Sequence, residues 1–157
     1  MGRAKLAAGI LLFRRNGGAL EVLLAHPGGP IWAKQDLGAW TLPKGEPAPD
    51  EDLLVCARRE LEEETGVLAS GPFVDLGEVR QKSGKTVRAW ATEGDADPAA
   101  MHSNQFDMEW PPQSGRMVSF PEVDRCAWFD LSEARRRINP AQAALLDRLA
   151  QHLPSRG

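Results

Sequence analysis

The sequence predicts an α/β or α+β fold in which a mixed β-sheet is sandwiched between α-helices. Two apolar runs, residues 6–13 and 20–25, flank an Asn-Gly-Gly turn, and this pattern predicts a pair of strands. Residues 50–65 lack proline and glycine and begin with three acids, which predicts a helix. The whole chain reads as strands, helix, strands and helix, the order expected of a sheet covered by helices.

Turn and cap residues delimit the remaining elements. Gly66 stands where a helix C-cap is expected, and Asn139-Pro140 is a typical start for a final helix that ends near residue 153. The stretch from about 95 to 115 contains three prolines and is predicted to be a long loop. Further strands are predicted at residues 73–80, 86–92, 117–120 and 126–129.

Length, composition and charge exclude several classes of protein. The 157 residues suit one domain, predicted to span 1–157, and the share of 42% hydrophobic and 26% charged residues is ordinary for a globular chain. The net charge of −3 is unlike that of a dedicated nucleic-acid binder. The arginines at 135–137 are interpreted as a solvated helix face.

Targeting signals and cysteine usage give an expectation for location. The apolar run at residues 6–13 is too short to span a bilayer, and no small-residue cleavage site follows it, so we expect no membrane association. Cys56 and Cys126 form neither a Cys-x-x-Cys pair nor a disulfide framework, which suits a reducing interior. We therefore expect a cytoplasmic protein.

Three acids of the predicted helix form a candidate metal site. Glu60, Glu63 and Glu64 are three and four residues apart, so they share one arc of the helix beside an apolar stripe that faces the sheet. Like charges at these spacings repel one another, and a divalent cation with oxygen ligands would relieve the repulsion. From these residues alone, a solvated helix rich in charge is an equally good interpretation.

The residues that surround the helix separate the two interpretations. Five residues lie between Gly45 and Glu51, and seven more precede Arg59-Glu60-Leu61, after which come Glu63-Glu64 and Gly66-Val67. This spacing resembles the Nudix box at every fixed position. Residues 7–14 and 40–45 also resemble the first strand of that family and its lead-in to the box. The resemblance implies a mixed sheet between helices and hydrolysis of a nucleoside diphosphate linked to another group.

The resemblance further implies Mg²⁺ as the cofactor, with Mn²⁺ as a substitute. Mg²⁺ keeps several waters and takes few protein ligands, so Glu60 and Glu64 as direct ligands would suffice, with Glu63 bound directly or through water. A main-chain carbonyl near Gly45 is a further ligand by resemblance. Either Glu60 or Glu63 is expected to deprotonate the attacking water.

Two basic residues receive roles at the same site. Arg59 is interpreted as the partner that orients Glu51 or Glu63 and so holds the ligands in place. Lys44 directly precedes the box and is expected to contact a phosphate of the substrate, although a solvated loop lysine is the alternative interpretation.

Residues outside the box complete the candidate site. The resemblance also implies an acid outside the box, on a loop before a late strand that carries an aromatic residue. Glu122, six residues before Trp128, fits that place and is expected to be a further metal ligand or a base, and Glu109 is its rival. Aromatic residues could stack on a base of a nucleotide or fill the core, and the long loop is a hypothetical substrate lid. The substrate-binding candidates are Trp40, Phe106 and Trp110, with Trp32 as a further aromatic plane.

The expected substrate is a small nucleotide. Residues 13–15, 40–45 and 84–87, together with Trp90, are similar to the asymmetric diadenosine tetraphosphate hydrolases, so dinucleoside polyphosphates rank first. Nucleoside triphosphates, including oxidised ones, are the second choice, followed by ADP-ribose and capped RNA. A Nudix-like domain that binds a nucleotide for regulation without cleaving it is the alternative from another class. We expect a monomer or a homodimer.

Overall fold

A six-stranded mixed sheet forms the centre of the computed structural model, which describes residues 5–153. Its strands are Leu6–Asn16 (β1), Ala19–Pro27 (β2), Lys44–Gly45 (β3), Val74–Arg80 (β4), Thr86–Glu93 (β5) and Val123–Asp130 (β8). The order across the sheet is β4-β5-β1-β2-β8, and β3 pairs with β1. β1 and β5 are parallel, and the other neighbours are antiparallel.

Helices cover both faces of the sheet, which confirms the predicted fold class. α1 (Leu53–Thr65) packs on one face, and α2 (Leu131–Arg137) and α3 (Ala143–His152) pack on the other. Successive side chains of β1 point to opposite faces. Ile10 and Leu12 therefore lie in the core beneath α1, and Leu11 and Phe13 lie in the core beneath α3.

α1 has the caps that its sequence predicts, but it begins at Leu53 rather than at residue 50. The Asp52 carboxylate accepts a hydrogen bond from the backbone N–H of Val55 at 3.1 Å and so acts as the N-cap. Gly66 adopts the left-handed conformation, with φ 79°, and its N–H donates to the carbonyl of Glu62. These caps fix where the acidic helix starts and stops relative to the sheet.

The short segment 41–45, which ends in β3, fills a fork between β1 and β2. β1 pairs with β2 over residues 13–16, and nearer its start it pairs with β3 through Ala8 and Gly9. On the other side, Thr41 exchanges two backbone hydrogen bonds with Ala25 of β2, at 2.7 and 2.9 Å. The segment that leads into α1 is therefore held by sheet hydrogen bonds on both sides.

The stretch from 95 to 115 is only partly the loop that the sequence predicts. Gln105–Glu109 (β6) pairs in antiparallel fashion with Met117–Pro121 (β7), and the hairpin forms a separate two-stranded sheet. A 3-10 turn at Pro98–Ala100 precedes it. The prediction was wrong for β6, because Pro111 and Pro112 lie in the turn between β6 and β7 and do not interrupt β6.

The C-terminal part contains a short helix whose bounds were not predicted, although residues 135–137 were interpreted as a helix face. α2 follows β8 directly, with Asp130 as its N-cap, and its last turn carries Arg135, Arg136 and Arg137. The first two are exposed, and Arg137 makes ion pairs with Glu133 and Asp36. In residues 5–153, no helix has the length and apolar character needed to cross a membrane.

Candidate active site

A cleft of about 510 Å³ opens between α1, the segment 41–46 and the start of β8. Five of the residues predicted from the sequence line it, namely Lys44, Gly45, Glu60, Glu64 and Glu122. The elements that carry them lie far apart in the chain, and only the sheet topology brings them together. The cleft is rich in carboxylates and also contains amines, so it suits a ligand that has both metal-binding and anionic groups.

Glu60 and Glu64 are the two acids of α1 that point into this cleft. They lie one turn apart, and only 9% and 7% of their surfaces are exposed. Burial, and then the negative charge of Glu60, raises the pKa of Glu64 to about 8. Burial also raises the pKa of Glu60. Two acids held this close in a dry setting are costly to ionise together unless a cation joins them.

One oxygen of this pair is left without a partner. Oε2 of Glu64 is buried and makes no hydrogen bond within the described part of the chain. A buried carboxylate oxygen without a donor is unfavourable, and a hard divalent cation is the kind of group that would satisfy it. The donor set therefore fits Mg²⁺, with water completing its coordination.

Gly45 provides the space that Glu60 occupies. A Cβ built on Gly45 would lie 2.1 Å from Cδ of Glu60, which no real contact permits. The backbone of β3 thus approaches the carboxylate directly, and its carbonyl accepts a weak hydrogen bond from Sγ of Cys56 at 3.6 Å. Glycine at this position lets main-chain and side-chain oxygens face the same part of the cleft.

Arg59 braces the acids from outside the cleft. Its guanidinium makes a two-pronged contact with Glu51, with Nε–Oε2 and Nη2–Oε1 distances of 2.9 and 2.8 Å. Nη1 also donates to Glu60 at 3.0 Å and to Glu63 at 3.3 Å. The contact with Arg59 lowers the pKa of Glu51 to about 2. Both partners that the sequence offered for Arg59 are used, and Glu51 has the better geometry.

Glu63 lies beside the acidic pair, where Nη1 of Arg59 donates to both Glu60 and Glu63. Its side chain is 41% exposed, pairs with Arg59 and does not line the cleft. Glu63 lies about 100° around the helix from Glu64, on the flank that carries Arg59. Within residues 5–153, no three acids, cysteines or histidines are clustered tightly enough to enclose a metal ion alone.

Two lysines bring positive charge to the acidic cleft. Lys44 lies in β3. Burial, and then the charge of nearby Lys85, lower the pKa of Lys44 to about 8, although the negative charge of Glu64 opposes the shift. Lys85, from the turn between β4 and β5, lines the same cleft and lies 3.9 Å from Glu46. Lys85 was not predicted as a site residue, because nothing in its local sequence indicates that the turn between β4 and β5 lies next to β3.

Glu122, rather than its rival Glu109, faces the cleft. The backbone of Glu122 is fixed on both sides, because its carbonyl accepts from Gly28 at 2.9 Å and its N–H donates to Asn104 at 2.8 Å. Asn104 also lines the cleft and was not foreseen. The carboxylate of Glu109 instead accepts from the N–H of Gln113 and closes the turn of the β6–β7 hairpin.

The predicted aromatic residues are dispersed. Trp40 is only 2% exposed, donates to Asp36 at 2.7 Å and packs edge-on against Phe129, so its placement as a substrate-stacking residue was wrong. Trp110 lies at the end of the hairpin and lines neither the cleft nor the groove beside it. Phe106 and Trp32 meet in that neighbouring groove.

Sequence comparison finds curated relatives that are similar to part of the chain. Over 99 residues, the chain is 35% identical to the asymmetrical bis(5'-nucleosyl)-tetraphosphatase of Rattus norvegicus, a match covering 55% of this chain and 63% of that protein. The identity to the Mus musculus protein of the same name is 33% over 99 residues. The chain thus spans less than two thirds of the length of these curated relatives.

Solved structures share the fold over nearly the whole chain. The NUDIX domain of Shewanella oneidensis NrtR, solved with ADP ribose, aligns with a TM-score of 0.69 at 19% identity, covering 98% of this chain and 91% of that one. A C. elegans Ap4A hydrolase complex aligns with a TM-score of 0.61 at 22% identity, covering 94% and 96%. The family model of the NUDIX domain matches residues 3–149. The chain therefore belongs to the NUDIX family.

Proposed function

We propose that the protein is a Mg²⁺-dependent pyrophosphohydrolase that cleaves a phosphoanhydride bond in a nucleoside diphosphate linked to another group. The observation that carries the proposal is the buried pair Glu60 and Glu64, which lines a cleft containing two lysines and includes a carboxylate oxygen with no hydrogen-bond partner in the described part of the chain. A folded protein maintains such a costly arrangement where a cation and a polyphosphate bind.

The residues of the cleft would share the work of binding. Glu60 and Glu64 would hold Mg²⁺ directly, and Glu122 and the carbonyl of Gly45 would contact the ion directly or through the waters that it keeps. When bound, the ion supplies charge neutralisation to the phosphate oxygens and acidity to a coordinated water. Lys44 would bind a phosphate, and its own ammonium form gains stability when the phosphate arrives.

The hydrolysis needs a proton acceptor beside the attacking water. Water oxygen attacks phosphorus, the bridging P–O bond breaks, the leaving phosphate keeps the electron pair and a carboxylate takes the proton. We assign that carboxylate to Glu60, because Glu63 faces Arg59 outside the cleft. Arg59 keeps Glu60 oriented through Nη1 and is itself anchored by Glu51.

Dinucleoside polyphosphates are the first choice of substrate. The relatives at 33% and 35% identity are tetraphosphatases of this kind by name. A cleft of about 510 Å³ that carries both lysines and acids accommodates an extended phosphate chain. Nucleoside triphosphates, including oxidised ones, are the second choice. We retain the cytoplasm as the expected location.

A substrate panel tests the proposal. Purified protein is incubated with Mg²⁺ and dinucleoside polyphosphates, nucleoside triphosphates, oxidised triphosphates, ADP-ribose or capped RNA, and the products are separated by chromatography. We expect cleavage of the phosphate chain that stops when a chelator is added. Glu64→Gln should lower kcat by about two orders of magnitude or more.

Glu62→Gln is the matched control. Glu62 lies on the same helix but is exposed and does not line the cleft, so this variant should cleave at the wild-type rate. Equal losses in both variants would show a general effect of helix charge. Folded wild-type protein that binds nucleotides but cleaves none of the panel would instead be a nucleotide-binding module.

A further inference from the structure

A second groove lies beside the cleft and has walls of a different chemistry. It encloses about 260 Å³, with Ile31 and Trp32 on one side and Phe106 and Met108 on the other. Pro27 and Glu122 line both spaces, so the groove continues from the cleft. A ligand held in the cleft could therefore extend into the groove.

One wall of the groove is the apolar face of the β6–β7 hairpin. Phe106 and Met108 alternate along β6 and share a face with their register partners Phe120 and Val118 on β7. The rings of Phe106 and Phe120 lie 6.0 Å apart. The groove-lining side chains of the hairpin are thus flanked on the same face by the apolar side chains of their partners on β7.

The opposite wall is a turn that glycine allows to approach closely. Gly29 has φ +94°, and a Cβ there would lie 2.8 Å from Cζ of Phe106. The N–H of Gly28 donates to the carbonyl of Glu122 at 2.9 Å, which fastens the turn to the segment after the hairpin. Trp32 is nevertheless 38% exposed, so its ring remains accessible next to a charged cleft.

The lining fits an uncharged planar ring. No lysine or arginine among the described residues lines the groove, so a phosphate has no partner there, whereas aromatic and methionine side chains favour stacking. Apart from Glu122 at the junction, indole Nε1 of Trp32 is the only side-chain group able to hydrogen-bond to the edge of a ring. The groove therefore lacks the side chains needed to distinguish one base from another.

We propose that this groove is a base-tolerant stacking site for a nucleobase of the substrate, whose phosphate chain lies in the adjoining cleft. The inference rests on the proposed function and adds the part of the substrate that the cleft does not hold. It predicts that the enzyme selects for the presence of a base but accepts purines and pyrimidines alike.

Equilibrium binding tests the groove without turnover. The probes, in the presence of Mg²⁺, are inorganic tripolyphosphate and methylene-bridged analogues of the common nucleoside triphosphates. Trp32→Ala should raise the Kd of the analogues about tenfold and leave the Kd of tripolyphosphate within about twofold of wild type. Met108→Ala should act in the same direction. The analogues should bind to wild-type protein within about fivefold of one another, because stacking tolerates every base.

Leu37→Ala is the control, since Leu37 is an exposed apolar residue of the same loop outside the groove. Its Kd values should equal those of wild type. An unchanged analogue Kd in Trp32→Ala, an equal loss for tripolyphosphate, or a preference of more than about tenfold for one base would overturn the proposal. Nucleotide binding without cleavage would contradict the proposed hydrolase activity but not the stacking site. Cleavage with an unchanged KM in Trp32→Ala would contradict the stacking site alone.

Discussion

Gly45 is a residue at which one added methyl group should disturb the cleft. The Cβ of Gly45→Ala would overlap the Glu60 carboxyl group, so either β3 or Glu60 must move. Because a displacement of about 1 Å at a reacting group can cost about 100-fold in rate, we expect a loss of that order in kcat. Gly94→Ala is the control, since its Cβ would meet only the side chain of Leu12 at 3.0 Å, and Leu12 does not line the cleft. Similar kcat values for the two variants would contradict the close approach.

The Arg59–Glu51 contact should matter for metal affinity more than for folding. In Glu51→Gln the guanidinium loses a charged partner and holds Glu60 less firmly. We expect the half-saturating Mg²⁺ concentration to rise by about 10-fold to 100-fold, as for other residues that orient metal ligands. Magnesium titration of the hydrolysis rate measures the shift, and Glu62→Gln should show none. A rise shared by both variants would point to net charge instead.

His26 is buried and bridges the two segments that flank the cleft. Its Nδ1 lies 2.9 Å from a carboxylate oxygen of Asp124, and its Nε2 lies 2.5 Å from the carbonyl of Gln35. Both partner atoms are hydrogen-bond acceptors, so the ring links the carboxylate of Asp124 to the carbonyl of Gln35. His26→Leu should lower the free energy of unfolding by about 1–3 kcal/mol, because it leaves these acceptors without a donor. Urea denaturation measures the loss, and the exposed His102→Leu should show almost none.

The position of a single side chain can be predicted from the sequence where helical spacing alone determines it. It cannot be predicted where tertiary packing determines which way the side chain points. Glu60 and Glu64 lie one turn apart, so they share a face whatever the helix packs against. Glu63 sits between that face and the flank of Arg59, and only the tertiary structure determines which of the two it joins. Trp40 precedes Lys44 in the same segment, but its ring turns into the core while Lys44 turns into the cleft.

At the scale of elements, the pairing of β4 with β5 contains an acid-sensitive link. Arg88 donates to both oxygens of Asp75, and the N–H of Gly77 donates to one of them, which lowers the pKa of Asp75 to about 2. In the unfolded chain this pKa is about 3.9. The stabilisation is therefore complete above pH ~4 and is lost as the pH falls towards ~2.

Asp75→Asn tests the sign of this dependence. The variant should unfold at a lower urea concentration than wild type from pH 7 down to pH ~4, and the difference should close by pH ~2. Exposed Asp107, whose partner Ser119 carries no charge, provides the comparison variant Asp107→Asn. A difference between Asp75→Asn and wild type that stays constant down to pH ~2 would contradict the ion-pair explanation.

Elements with strong local signals were predictable. β1, β2 and α1 have apolar runs, turn glycines and caps that suffice to locate them within a few residues. β6 and α2 were missed because their stability is not local. β6 has polar residues on one face and depends on pairing with β7, and α2 is a short helix whose Ala134 becomes buried only against the sheet and α3.

The molecule as a whole should be more stable with Mg²⁺ than without it. A cation that binds Glu60 and Glu64 in the folded state, and little in the unfolded chain, stabilises by mass action. We expect the Tm of wild-type protein to rise when Mg²⁺ replaces a chelator. Glu64→Gln should gain little from Mg²⁺, because the ligand pair is broken.

The same experiment compares the metal-free proteins. Glu64→Gln should then have a Tm at least as high as wild type, because it removes a buried acid with an unsatisfied oxygen. Differential scanning calorimetry with and without chelator gives both comparisons. If the Tm of wild-type protein does not change at Mg²⁺ concentrations that support cleavage, Mg²⁺ binding by Glu60 and Glu64 is contradicted.

The fork between β1 and β2 sets a rule for how this chain tolerates changes in length. Segment 41–45 is hydrogen-bonded on both sides. Inserting or deleting one residue within it would therefore shift Lys44 and Gly45 out of register and turn the side chain of Lys44 to the opposite face. Upstream, at the exposed residues 33 and 34, an insertion meets no strand partner and leaves residue 35, which contacts His26, unchanged. Engineered variants can therefore carry an insertion, for example a label, in the loop before segment 41–45. Segment 41–45 itself must keep its five residues.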